Sequence, residues 1–189
     1  MRSLIVGFSL LSLVLCGVSA GSIWATDDSN QALIQAARNR DFKTVQNLVK
    51  QGAHPNATDE SGLFPLMLAA MNGDTGMATF LADHGADIDA KDAGGNSPFL
   101  AACVMGRTDV VRFLLDRGVD VNEGNSIGTT PLMAACLYNK IEVVKLLLDR
   151  GARISVKNKD GNTPLTMASK SSTGNPELVA LLKAHGAKE

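Results

Sequence analysis

The sequence predicts an all-α repeat solenoid: helix-turn-helix units stacked side by side, with short β-hairpin turns between them. Three observations predict it. Pro65, Pro98, Pro131 and Pro164 recur at a spacing of 33 residues. Gly52, Gly85, Gly118 and Gly151 keep that period on a second phase, and Gly62, Gly95, Gly128 and Gly161 keep it on a third. A fixed period of this size marks supersecondary units that bury their apolar faces only by stacking on neighbours. Finally, hydrophobic residues make up 45% of the 189-residue chain but aromatics only 4%. The core is therefore built from Ala, Leu, Val and Met, side chains that let helices approach closely.

The chain opens on an address. Arg2 supplies a positive start, Leu4 to Val18 is an apolar stretch interrupted by Gly and Ser, and Val18-Ser19-Ala20 offers small residues at the −3 and −1 positions of a signal-peptidase cut. A second cut is readable after Ala25, with Ile23 and Ala25 in those positions. The apolar run of about 15 residues is shorter than the roughly 20 a spanning helix needs, which favours a cleaved leader over 1–20 to a retained anchor. Cys16 raises a lipoprotein reading, but Leu15 stands where a lipidation signal wants a small residue. The full chain carries 18 Lys and Arg against 19 Asp and Glu, a net charge of −1, and loss of Arg2 with the leader makes it −2.

The units then follow in order. Residues 30–58 form an incomplete first unit that lacks the hairpin and the Pro-led helix start, as a terminal capping repeat does. Fuller units span 59–91, 92–124, 125–157 and 158–189. In each, a glycine (Gly62, Gly95, Gly128, Gly161) provides the positive φ of a tight turn. Ser97-Pro98, Thr130-Pro131 and Thr163-Pro164 start helices, with the hydroxyl as cap and proline in the first turn. Ala69-Ala70, Ala101-Ala102 and Ala134-Ala135 keep the first helix thin. The second helix carries a buried stripe, Val110, Val111, Phe113, Leu114 and Leu115 in one unit and Val143, Val144, Leu146, Leu147 and Leu148 in the next. Gly118 and Gly151 end it in the left-handed conformation. The last unit departs from period: Gly151 to Gly186 is 35 residues, and the two extra residues fall between Lys170 and Pro176.

With Gly-x-Thr-Pro-Leu, Ala-Ala and Val-Val-x-Leu-Leu-Leu all at their places, the chain resembles the ankyrin repeat family, over about residues 30 to 187. One position departs from the family pattern. Ankyrin units usually carry His after Pro-Leu, where it ties hairpins together; this chain has Met67, Leu100, Met133 and Thr166 there.

Catalytic chemistry finds no constellation. Ala93-Gly94-Gly95-Asn96 reads as a repeat turn rather than a phosphate cradle. His54, His84 and His185 read as surface or helix-end residues, and the last two hold one repeat position three units apart. Cys103 and Cys136 share a position on the first helices of adjacent units. Packed helices lie roughly 8–10 Å apart, beyond disulfide reach, so two buried thiols are expected and stability must come from stacking. An enzyme, a metal and a cofactor are not expected. A near-neutral chain with few aromatics also disfavours a nucleic-acid partner, and no membrane contact is expected once the leader is removed.

Protein binding remains. The resemblance implies a concave face made of hairpin tips and first helices, whose tip positions here are Glu60, Ser61 and Leu63; Ala93, Gly94 and Asn96; Ser126, Ile127 and Thr129; Lys159, Asp160 and Asn162. In many ankyrins these slots and the ends of the first helices are polar. Here Leu63, Met71, Val104, Met105, Ile127, Leu137 and Tyr138 form an apolar strip, with Asn96 and Thr129 beside it. Val104 and Leu137 read equally well as packing between helices, whereas Met105 and Tyr138 read as exposed. Such a patch marks an interaction site, and tyrosine is a hot-spot type.

The expected function is a non-catalytic, monomeric binding module of the exported bacterial ankyrin type. It would sit in the periplasm and hold one envelope protein, as an inhibitor, immunity or self-protection partner of an enzyme such as a cell-wall hydrolase. The alternative is an accessory factor in oxidative defence beside an exported catalase, an association that similar periplasmic ankyrins have. The six methionines after the leader would serve as oxidant scavengers there, unless they simply fill the core.

Overall fold

The computed structural model describes residues 20–170 and 174–188. The expected leader, apart from Ala20, lies outside the described residues, as do Cys16 and residues 171–173 of the insertion. Ten helices occur among the described residues, two per repeat: α1 (Ala20–Arg38) and α2 (Phe42–Lys50), α3 (Pro65–Asn72) and α4 (Thr75–Asp83), α5 (Pro98–Met105) and α6 (Thr108–Asp116), α7 (Pro131–Leu137) and α8 (Ile141–Asp149), α9 (Pro164–Lys170) and α10 (Pro176–Ala184). The second readable leader cut, after Ala25, falls inside α1. No described helix is long and apolar enough to cross a membrane.

Helix starts follow the chemistry of the residue before proline. The Ser97 side chain accepts from the Leu100 N–H, that of Thr130 from Met133, and that of Thr163 from Thr166. Repeat 2 has Phe64 there, which makes no side-chain cap and is buried in the core instead. At the second helices Asp41, Asp74 and Asn175 supply the capping oxygen, while Arg107 and Lys140 make no such bond. The hydroxyl and N–H of Thr44 hold the Asp41 carboxyl below its ordinary range.

The connecting hairpins are closed turns, and no strand forms among the described residues. Asp59, Asp92, Asn125 and Asn158 each fold a side-chain oxygen back over the turn to accept the N–H four residues on, at 2.9, 2.8, 3.0 and 2.9 Å. Neighbouring hairpins share single backbone bonds, Ser126 N–H to Gly94 O and Lys159 N–H to Ile127 O. Side chains add Asn125 Nδ2 to Asn96 Oδ1 and Asn158 Nδ2 to Thr129 Oγ1. The tying function that histidine serves in the family pattern is thus met by Asn125 and Asn158, while Asp59 and Asp92 brace their own turns. Burial works against ionisation of Asp92, but the bonds from the Asn96 side chain and from the N–H groups of Asn96 and Gly94 outweigh it and lower its pKa.

Stacking completes the fold. The first helices α1, α3, α5, α7 and α9 pack in one row, with α2, α4, α6 and α8 behind and α10 against α9. Ala69, Ala70, Ala102 and Ala135 are completely buried at the contacts of that row. The apolar interior falls into two groups, one over repeats 1 and 2 and one over repeats 3 to 5 that also includes Ala70 of α3, and half-buried Ile88 and Phe113 touch both. Loops are braced between repeats by Asn56, which donates to Gly85 O and accepts from the Asp87 N–H, and by Asn122, which accepts from the Arg153 N–H. On the outer helices Arg117 pairs with Asp83 at 2.8 Å and Arg150 with Asp116 at 3.0 Å. These pairs are solvent-exposed, so each adds at most about 1 kcal/mol.

Glycine geometry separates turn conformation from stacking. Gly95 and Gly161 have the same left-handed φ, 76° and 77°. A Cβ on Gly95 would lie 2.7 Å from the backbone nitrogen of Ser126 in the next hairpin, whereas one on Gly161 meets nothing within 4 Å. Both Gly→Ala changes incur the left-handed penalty of roughly 1–2 kcal/mol. Gly95→Ala is predicted to lose a further ~1–3 kcal/mol through overpacking, read as a lower urea midpoint than that of Gly161→Ala. Equal midpoints would mean that adjacent hairpins are not held against each other.

Candidate protein-docking face

Three large apolar residues are exposed among the described residues, Met105 at 40%, Ile127 at 47% and Tyr138 at 53%. All three sit on the face made by hairpin tips and first-helix ends. Their exposure follows from local structure. Met105 is the last helical residue before left-handed Gly106, and Tyr138 caps α7 before Asn139, which has φ 53°. Both therefore stand where the chain turns away from the row of first helices. Ile127 occupies the tip of its turn, its N–H bonded to the Asn125 side chain.

Beside Met105 lies a groove of about 260 Å³ between repeats 2 and 3, lined by Leu63, Met71, Val104 and Met105, with Met67 and Leu100 among its other walls. Four of the sequence-predicted apolar residues thus meet in one cavity. Leu63 and Met71 are half-buried and also pack on the N-terminal core group. Leu137 is half-buried against the C-terminal group, which favours the packing reading for it. Val104 is half-buried and lines the groove.

Asn96 and Thr129 are placed beside the strip as expected, but their polar groups are already engaged. Asn96 donates to both carboxylate oxygens of Asp92 and accepts from Asn125, and Thr129 accepts from Asn158. They serve the hairpin framework. Sequence reasoning passed over Met67 and Leu100 as partner-facing residues, treating them as substitutes for the family histidine. They are only 2% and 3% exposed, yet they help to wall the groove. Their position four residues before Met71 and Val104, one helical turn, was the available signal.

The remaining candidate residues have structural occupations. His54 Nδ1 accepts from the Asn56 N–H. His84 lies 4.0 Å above the Phe80 ring, with Nδ1 2.8 Å from Phe80 O, and His185 Nδ1 lies 2.9 Å from Leu181 O. No cluster of three His, Cys, Asp or Glu suited to a metal ion occurs among the described residues. Of the six methionines after the leader, Met67, Met77, Met133 and Met167 are buried, which is the core-filling use of this residue.

Cys103 and Cys136 are free and buried. Loss of hydration raises both thiol pKa values, that of Cys136 to about 12. Native protein at pH 8 is predicted to resist a thiol-specific disulfide reagent and to react at both sites in denaturant, because the thiolate is the attacking form. The unfolded thiol titrates near 9, so above that pH the unfolded state holds fewer protons than the native state. Stability therefore falls as pH rises from about 9 toward 12, and is unaffected by this group below 9. Cys136→Ala is expected to flatten that alkaline decline in urea titrations. Rapid native labelling would contradict the burial of both thiols.

A family model described as ankyrin repeats, in three copies, matches residues 33–125 and 118–189. No curated protein matches the chain.

Proposed function

Because the chain belongs to the ankyrin repeat family, whose members are typically non-catalytic protein-protein interaction modules, we propose that it holds one partner protein on the face carrying Met105, Ile127 and Tyr138. A single observation carries this reading: the three large apolar side chains exposed among the described residues share that face, and one of them, Met105, lines an apolar groove. Stacking does not require them there, and each costs solubility unless something covers it. Met105 and Tyr138 offer flexible and rigid apolar anchors respectively, the residue types enriched at the centres of interfaces.

The leader-like sequence of residues 1–20 supports a partner in the cell envelope, with the chain acting in the periplasm as a monomer. The matched repeats over residues 33–125 and 118–189 offer a surface that can occupy a partner's. The reading that follows is inhibition or protection: the module masks an envelope enzyme such as a cell-wall hydrolase.

The double variant Met105→Glu/Tyr138→Glu tests the face. With helix content checked by circular dichroism, it is expected to capture the wild-type partner from an envelope extract at least ~30-fold more weakly, since two central anchors contribute about 1–2 kcal/mol or more each. Assaying the captured protein with and without the chain then reads inhibition directly. Equal capture by wild type and folded variant would remove this face from consideration.

A further inference from the structure

We infer that the partner docks through an acidic–apolar segment, with a bulky apolar side chain in the groove between repeats 2 and 3 and a neighbouring carboxylate in the polar cleft beside it; this rests on the docking face proposed above. The cleft has a volume of about 440 Å³, and Arg40, Asn72, Gly73, Arg107 and Asp109 are among its walls. It adjoins the groove through consecutive residues, because Met71 lines the groove and Asn72 the cleft, as do Met105 and Gly106 at the next repeat.

Arg107 is built into this junction. Its side chain crosses Gly73, where a Cβ would come within 2.8 Å of the Arg107 Cδ, and its Nε donates to Met71 O at 2.9 Å. One nitrogen is thereby anchored, while the guanidinium enters no ion pair among the described residues; nor does that of Arg40. Lys140 repeats the arrangement over Gly106, bringing a third cation to the edge of the cleft. Three acids lie nearby. Asp109 is part of the cleft wall, whereas the Asp41 and Asp74 carboxylates accept from N–H groups at the starts of α2 and α4.

The opposite rim of the groove has the other sign. Glu60 stands at a hairpin tip, Asp92 lines the groove itself, and Asp59 is already paired with Arg38 at 2.5 Å. The apolar groove therefore runs between an acidic rim at the turns and guanidinium groups at the helix ends. Charge complementarity of this kind selects orientation and partner more than raw affinity. A segment whose acid lies on the Arg40–Arg107 side of its apolar anchor satisfies both edges, and guanidinium recognises carboxylate with paired donors.

Selection of random peptides displayed on phage against the purified chain tests the inference. Enriched peptides are expected to place Asp or Glu beside a bulky apolar residue. In a synthetic peptide of the enriched sequence, replacing the acid by its amide should weaken binding about tenfold, and Arg40→Glu in the chain should weaken the unmodified peptide similarly. Enrichment of apolar peptides without acids, an amide effect within about twofold, or no enriched peptide at all would overturn the acidic–apolar assignment. The docking face is read separately, with Met105→Glu/Tyr138→Glu. Peptides that lose binding to this variant but not on amide substitution sink only the further inference. Peptides that bind it as well as wild type sink the face itself.

Discussion

Every feature of this molecule depends on one constraint: a single 33-residue unit cannot bury its own apolar faces. Two short helices and a turn leave the alanine side of the first helix and the flank of the second uncovered, and only the next unit covers them. Side chains such as Ala70, Ala102 and Ala135, fully buried in the first-helix row, have nothing to pack on without a neighbour. Their small size sets how closely the helices approach. Neither thiol is used as a crosslink, since Cys103 and Cys136 are buried and unpaired. Cohesion is therefore distributed over the repeat-to-repeat contacts, supplemented by weak pairs such as Arg117–Asp83 on the outer helices.

The same constraint explains how the hairpins stay ordered without the family histidine. A turn that is only a linker would contribute nothing to stacking. Here Asp or Asn at the head of each turn binds N–H groups within it, and asparagines at Asn125 and Asn158 also reach across to the preceding hairpin. Glycine at 95 permits the close approach of Ser126 that a side chain would block. Freeing the position after Pro-Leu has a consequence for function: Met67 and Leu100 occupy it and give the groove apolar walls where a polar tie would otherwise stand.

The architecture was legible because periodicity reports stacking directly. Proline, glycine and hydroxyl positions fixed helix starts and turns, and the exposed Met105, Ile127 and Tyr138 followed from their places at helix ends and a turn tip. What sequence reasoning could not separate was the status of residues whose exposure depends on the neighbouring repeat. Val104 and Leu137 hold one repeat position, yet Val104 lines the groove while Leu137 packs on the core. Asn96 and Thr129 sit in variable tip positions, but bonds across the hairpin row, invisible in a linear reading, occupy them. The absence of strands among the described residues has the same origin, because at most one backbone bond per hairpin junction is too few to make a ladder.

The groove also coincides with the seam of the core. Buried apolar residues form one group over repeats 1 and 2 and another over repeats 3 to 5 that also takes in Ala70 of α3, and Ile88 and Phe113, half-buried, touch both groups. Local opening of a quasi-one-dimensional stack parts neighbouring repeats at a junction such as this one. A partner whose apolar anchor wedges between Met71 and Val104 would add contacts across that junction and so stabilise the whole array by mass action. Binding and folding are then linked, because an anchor seated in the groove touches both repeats at once. Filling the seam with larger side chains would strengthen the array while closing the groove, so the apolar hollow at repeats 2 and 3 is a feature that stability alone does not explain.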